Sequence, residues 1–246
     1  MSSQAVTALP VAQPSHTIPF AEKYFYQFMS LVIAAVVAYG FSHTIDRRLI
    51  HASPRPPILL WMHALVFSTW VGFYILQSAL IRLRKVKLHR KLGWVGAALG
   101  SSMVVLGVWV AVVMARFDTN QLHRPNRDAF LIVPLFDILE FAIFLGLAIL
   151  WRKNPDRHPR LLLIASCVLT GAAFGRMPLM HAPLNFYGGI DGLILLGVLR
   201  DLLVSRRVHA VYLVALPLLM IAQAVAAQAF LHRAASWLRI AHALIS

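Results

Sequence analysis

Residues that could line a site fall on one stripe of a long apolar stretch, residues 58–81. His63, Phe67, Trp70, Tyr74 and Gln77 are spaced so that they share one face of a helix. The stretch carries no formal charge and is long enough to cross a bilayer. A histidine and a glutamine on such a helix predict that this face packs against other helices rather than against lipid.

Two carboxylates lie inside another apolar run, residues 129–151. Asp137 and Glu140 are three residues apart and therefore share a helix face. A carboxylate at membrane depth costs about 3 kcal/mol or more unless it is paired, protonated or hydrated. We expect Arg176 to be the cation that pairs with them. The sequence thus predicts a buried polar cluster made of Asp137, Glu140, Arg176, Asp191 and Gln77.

Histidines at the ends of apolar runs suggest a heme b site. Such a heme needs two imidazoles from different helices and basic groups for its propionates. His89 and His158 each precede an apolar run, and Arg90 and Arg160 lie close to them in the chain. His63 is a further candidate ligand, flanked by aromatic residues. His43 and His181 lie at the same face as possible partners, but both are near the ends of predicted spans.

A metal site is the alternative use of these side chains. His63, Asp137 and His181 could supply the three ligands of a hydrolytic metal centre, which also needs a bound water. The motifs HxxxH and HExxH, typical of such enzymes, are absent from the sequence. A proton relay is a third use, because intramembrane carboxylates and a cation are both present, but the chain has no convincing two-fold repeat.

Composition indicates a membrane protein. The 246 residues are 59% hydrophobic and only 13% charged, with mean hydropathy +0.71. The net charge of +14 comes from basic residues in short loops, where they set topology and contact anionic lipids, so we exclude nucleic acid as a partner. Cys167 is the single cysteine, which excludes an internal disulfide, a covalent heme motif and a cysteine metal knuckle.

Seven apolar segments predict an all-α, polytopic membrane protein with seven transmembrane helices. The predicted organisation is a flexible tail over 1–22, a membrane bundle over 23–231 and an interfacial C-terminal helix over 232–246. The alternative for the C-terminal segment is an extension of the seventh span. The predicted spans are 24–41, 58–81, 92–115, 129–151, 159–175, 190–204 and 208–231.

Loop charge predicts that the N-terminus is cytoplasmic. With that orientation, 14 of the 23 basic residues lie inside and nine outside, in agreement with the positive-inside rule. The fifth and sixth spans are short. Between them, residues 176–191 contain two prolines and two adjacent glycines, so this segment is either a surface loop or a re-entrant segment that lines a cavity.

Several stretches resemble an uncharacterised family of bacterial membrane proteins. They are HALVFSTW at 63–70, Gln77, LHRKLG at 88–93, Asp137 and RHPRLLL at 157–163. The resemblance covers roughly residues 55–200. It implies a seven-helix fold in the bacterial inner membrane and assigns no reaction.

Three functions are consistent with these observations. The leading hypothesis is a redox-type membrane subunit, active in electron transport, that binds heme b or quinone. The second is a cofactor-free accessory subunit of a larger membrane complex, whose small-residue face on the third span would contact partner subunits. The third is a metal-dependent membrane hydrolase.

Overall fold

The computed structural model describes residues 20–180 and 184–246, and every regular element within them is helical. Ten α-helices follow one another along these residues. They are α1 (Phe20–Ser42), α2 (Ile58–Arg82), α3 (Val86–Asn120), α4 (Arg127–Phe130), α5 (Ile132–Leu150), α6 (Arg157–Val168), α7 (Gly171–Phe174), α8 (Phe186–Ser205), α9 (Ala210–Leu231) and α10 (Ala235–Ile245). A π-helical turn, Asp46–Ile50, follows α1, and a 3₁₀ turn, Pro178–Met180, follows α7.

Five helical segments are long and apolar enough to cross a membrane. They are Lys23–Ser42, Ile58–Arg82, Val86–Asn120, Arg127–Leu150 and Ala210–Leu231. The chain is therefore an all-helical, multi-pass membrane protein. The predicted third span proves too short at both ends, because α3 begins six residues before Leu92 and incorporates much of the basic segment 82–91.

The two remaining predicted spans are the least regular part of the bundle. The segment 157–174 is divided into α6 and α7, and at the break the Thr170 hydroxyl donates a hydrogen bond to the Cys167 carbonyl at 2.5 Å. Such local side-chain bonds compete with the helical ladder. Helix α8 is continuous but carries Asp191, Arg200 and Asp201. The break between α6 and α7 and the charged residues of α8 therefore distinguish these two segments from the five apolar helices.

The protein core surrounds α6. Leu163, Ile164, Ala165, Cys167 and Val168 are fully buried. Helices α5 and α8 pack on either side of it. This burial is expected in a membrane. Where a helix is broken, some backbone N–H and C=O groups lose their helical hydrogen bonds, and they must find partners within the protein because lipid offers none.

Glycines allow close approach between helices. A Cβ atom at Gly40 in α1 would lie 2.3 Å from the carbonyl oxygen of Ala173. Gly100 and Gly107 of α3 lie against Leu145 and Ile138 of α5. The prediction that the small-residue face of α3 contacts partner subunits is therefore wrong for these two glycines, because α5 of the same chain covers it.

The C-terminal segment forms a separate helix rather than an extension of α9. Arg233 adopts a left-handed backbone conformation between the two helices. Helix α10 then packs against α3 and α4, and the Trp237 indole donates a hydrogen bond to the Ala129 carbonyl at 2.9 Å. The predicted tail over 1–22 lies largely outside the described residues.

The helices alternate in direction, which gives the bundle two ends. At the Arg176 end, α1, α3 and α7 finish and α2, α4 and α8 begin. At the Arg160 end, α2, α5 and α8 finish and α3, α6 and α9 begin. These two names are used below.

Candidate functional site

A lateral groove opens between α5, α6 and α9, with a volume of about 460 Å³. Its walls are almost wholly apolar, and its lining includes Leu139, Ile143, Val214 and Leu218. Each of these four side chains is about half exposed. Because they lie on membrane-spanning helices, the groove opens sideways toward lipid.

The groove differs in polarity along its length. At the Arg160 end it is lined by Trp151, Arg157 and His209, and burial lowers the pKa of His209. Near the middle of α5 it is lined by Glu140, which is only 6% exposed. No hydrogen-bond partner is recorded for Glu140 Oε2 among the described residues. The groove thus offers one polar group at mid-membrane depth and further polar groups at one mouth.

Two further carboxylates lie near Glu140. Asp137 and Asp191 are both within electrostatic range of Glu140, and the Tyr187 ring is within range of Asp137 and Glu140. Asp191 accepts a hydrogen bond from Gln223 Nε2 at 3.0 Å. Neither Tyr187 nor Gln223 was predicted from the sequence, because a lone tyrosine or glutamine in an apolar run is not distinctive.

Arg176 does not pair with these carboxylates, so this part of the predicted cluster is wrong. Its Nε donates a hydrogen bond to Thr44 Oγ1 at 3.1 Å, and Nη1 donates to the Ala172 carbonyl. The guanidinium also stacks on the Phe41 ring at 4.4 Å. Arg176 follows the end of α7, so its side chain reaches the loop after α1 rather than the interior of α5.

Gln77 is also separated from these carboxylates. It lies near the end of α2, and both polar atoms of its side chain are buried without a recorded partner in the described chain. Its backbone lies beside the His89 ring. The predicted stripe on α2 does face inward, because Trp70, Tyr74 and Gln77 are all buried.

His89 and His158 lie close together. Their ring centroids are 6.3 Å apart, with an interplanar angle of 76°. His158 Nδ1 is 2.9 Å from the Ala148 carbonyl, so the ring can donate there and keep Nε2 as an available lone pair. His89 Nδ1 is buried without a recorded partner. Two imidazoles from different helices, α3 and α6, therefore lie side by side.

Arg160 does not serve this pair as the sequence suggested. Its Nε and Nη2 donate to the two carboxylate oxygens of Asp201 at 2.9 and 2.6 Å. Asp201 is fully buried and also accepts from Arg200 Nη1 at 2.9 Å. Arg160 is therefore already engaged, while Arg90 is exposed. The adjacent charges Arg200 and Asp201 inside a predicted span could have signalled this ion pair.

His63 stacks on Phe67, with ring centroids 3.9 Å apart, and lies within electrostatic range of Arg176. Its Nδ1 is buried without a recorded partner. The third predicted metal ligand, His181, lies outside the described residues. Within 20–180 and 184–246, no three histidine, cysteine or carboxylate side chains are grouped closely enough to hold a metal ion. The metal-hydrolase hypothesis gains no support from this geometry.

Comparison with known proteins gives no relative: no family model, curated protein or solved structure matches the chain. The resemblance to uncharacterised bacterial membrane proteins therefore stays a prediction.

Proposed function

We propose that this chain is a redox-type subunit of the bacterial inner membrane that binds a quinone in the lateral groove. The observation that carries the proposal is the position of Glu140 on the wall of an apolar groove: its carboxyl group is buried, and its Oε2 has no hydrogen-bond partner among the described residues. A quinone has a polar ring attached to a long apolar chain. It can place the ring at Glu140 and leave its chain between α5 and α9 or in lipid.

An ordinary phospholipid fits this arrangement less well. Its acyl chains would fill the apolar walls, but its polar groups belong at the membrane surface. They would reach Arg157 and His209 at the groove mouth and leave Glu140 unpartnered. A protonated Glu140 can instead donate a hydrogen bond to a quinone carbonyl, which removes the penalty of an unsatisfied buried group. The apolar side chains of α5 and α9 along the groove favour the ligand's chain without selecting its length.

The proposed topology has seven spans and a cytoplasmic N-terminus. It adds α6 with α7, and α8, to the five apolar helices, because these segments alternate in direction with their neighbours. The basic residues favour a cytoplasmic Arg160 end, which holds the 14 of 23 assigned to the inside. Helix α10 would then lie at the outer surface.

Tryptophan fluorescence tests quinone binding, because Trp151 lines the groove. Purified protein in lipid nanodiscs is titrated with a short-chain ubiquinone, which quenches indole emission on contact. We expect a saturable component of quenching that is lost in Trp151→Phe and weakened in Glu140→Leu. Trp109→Phe is the matched control, because Trp109 is 59% exposed and does not line the groove. Quenching that never saturates, or that survives Trp151→Phe unchanged, would contradict the proposal.

Heme b on His89 and His158 is the second candidate, and the distance between these residues supports it. Two metal–nitrogen bonds of about 2 Å plus the ring radii place the imidazole centroids of a six-coordinate heme roughly 6 Å apart. The observed separation is 6.3 Å. A bound heme would supply one-electron transfer beside the membrane surface. The propionates would need partners other than Arg160, which is engaged by Asp201.

A further inference from the structure

Four arginines converge at the Arg176 end of the bundle, and we call them the arginine cluster: Arg48, Arg124, Arg127 and Arg176. They come from four separate segments: the π-helical turn after α1, the loop after α3, the start of α4 and the loop after α7. Burial lowers the pKa of Arg176 to about 10, with further lowering from Arg48 and Arg127. Burial likewise lowers the pKa of Arg48, assisted chiefly by Arg124. Contacts between these segments show the same convergence. Thr44 accepts a hydrogen bond from Arg176 Nε at its hydroxyl, at 3.1 Å, and one from the Arg48 N–H at its carbonyl, at 3.0 Å. Asp118 lies within 3.5 Å of both Arg124 and Arg127.

The described residues supply this cluster with one carboxylate. Asp118 is 6% exposed and lies 3.2 Å from Arg124 Nη1 and 3.5 Å from Arg127 Nε. Within the described part of the chain, the partners of the Arg176 side chain are all neutral: Thr44, the Ala172 carbonyl and the Phe41 ring.

Two further acidic groups near this end, Asp46 and Asp128, pair with other side chains. Asp46 lies 2.6 Å from the His51 ring, and Asp128 lies 3.3 Å from Arg233 and 3.0 Å from His242. Arg48 is half-buried, and no hydrogen bond or ion pair of its side chain is recorded in the described part of the chain. Four positive charges thus face one negative charge.

An excess of about three charges held together by folding is costly unless an anion joins them. Guanidinium groups match the oxygens of a phosphate group in geometry and can bind it with paired hydrogen bonds. We propose that the arginine cluster is a phosphate-binding site at this end of the membrane bundle. The phosphate belongs either to the headgroup of an anionic lipid or to a soluble phosphate ion. The site is separate from the lateral groove and does not depend on what the groove binds.

Two assays on the full-length protein distinguish the sources. In the first, calorimetry measures binding of inorganic phosphate in a neutral detergent, against chloride at equal ionic strength. In the second, native mass spectrometry compares retention of phosphatidylglycerol with retention of phosphatidylcholine. Binding in the first assay identifies a soluble anion. Selective retention in the second assay without the first identifies a lipid headgroup.

Variants locate the binding at the cluster. Arg48→Gln should weaken phosphate or phosphatidylglycerol binding about tenfold, because it removes a charged hydrogen-bond donor. Arg55→Gln is the matched control: it removes the same charge from an exposed residue in the loop before α2, at the same end of the bundle, and should leave affinity unchanged. Equal loss in both variants would show general charge attraction and overturn the proposal. If Arg48→Gln does not fold, the wild-type assays decide, since absence of both phosphate binding and phosphatidylglycerol preference overturns the proposal directly.

Discussion

Arg160 of α6 and Asp201 of α8 form a bidentate ion pair, with nitrogen–oxygen distances of 2.9 and 2.6 Å. Asp201 is fully buried and Arg160 is 6% exposed. The backbone N–H of His209 also points to Asp201, at 3.3 Å. One carboxylate therefore ties α6 and α8 to the start of α9 at the Arg160 end of the bundle.

Removing this carboxylate should destabilise the fold strongly. Asp201→Asn leaves Arg160 and Arg200 buried without a counter-charge, which costs about 3–5 kcal/mol when one partner of a buried pair is lost. Unfolding in mixed micelles with increasing SDS measures the change. Asp46→Asn is the control, because the Asp46–His51 pair is largely exposed and should contribute no more than about 1 kcal/mol. Equal effects of the two substitutions would contradict the structural role given to Asp201.

Close packing of α1 on α7 gives a second prediction. Gly40→Ala would place a methyl group 2.3 Å from the Ala173 carbonyl oxygen, and because backbone cannot move aside cheaply we expect a loss of about 1–3 kcal/mol. Gly72→Ala is the matched control, since nothing lies within 4 Å of its Cβ position. It should be neutral or stabilising by up to about 1 kcal/mol through helix propensity. Thermal unfolding of both variants measures the difference, and a neutral Gly40→Ala would refute the contact.

Filling the groove should block its ligand. Ala222 lines the groove, so Ala222→Phe places a ring in the space between α5 and α9. We expect quinone affinity to fall about tenfold or more, equal to at least about 1.4 kcal/mol. Ala224→Phe adds the same ring to the same helix at an exposed position outside the groove. Quinone titrations that give the same affinity for both variants would exclude this groove as the binding site.

The histidine pair gives a prediction for heme. After expression with excess heme precursor, the wild-type protein should show a low-spin absorption spectrum and a pyridine hemochrome typical of heme b. His89→Ala and His158→Ala should each abolish the low-spin form, because each removes one axial ligand. His51→Ala, at an exposed site near the Arg176 end, should retain it. A wild-type protein without Soret absorption would exclude the heme alternative and leave the quinone proposal intact.

The fold class was predictable from the sequence because membrane-spanning helices require long apolar runs, which can be recognised directly in the sequence. Residues 58–81 carry no charge, and they form α2 almost as predicted. Helix ends were less predictable. Residues 86–91, which are rich in lysine and arginine, belong to α3. The apolar part of a lysine or arginine side chain can lie along the helix while its charged end reaches water, so a helix can continue beyond the apolar run. The break between α6 and α7 lies inside the predicted span 159–175 and was not predicted, because a single threonine in an apolar run does not mark a helix end.

The site was predictable in part, for reasons of geometry. Spacing within one helix predicts that Asp137 and Glu140 share a face, because residues three apart are neighbours on a helix surface. Which side chains from different helices meet depends on the course of the loops, and short-range sequence patterns do not reveal it. The predicted pairing of Arg176 with the carboxylates failed for this reason, because the loop after α7 places Arg176 beside Thr44. The groove itself arises from the shape of three helices, and no motif marks it.

Photolabelling tests the central claim, quinone binding in the lateral groove, most directly. The wild-type protein in nanodiscs is irradiated with an azido-quinone, digested and mapped by mass spectrometry, with and without excess unlabelled quinone. The account predicts labels on segments 136–151 of α5 and 210–222 of α9, both suppressed by the competitor. Labels spread along all lipid-facing helices, or labels that the competitor does not suppress, would contradict it.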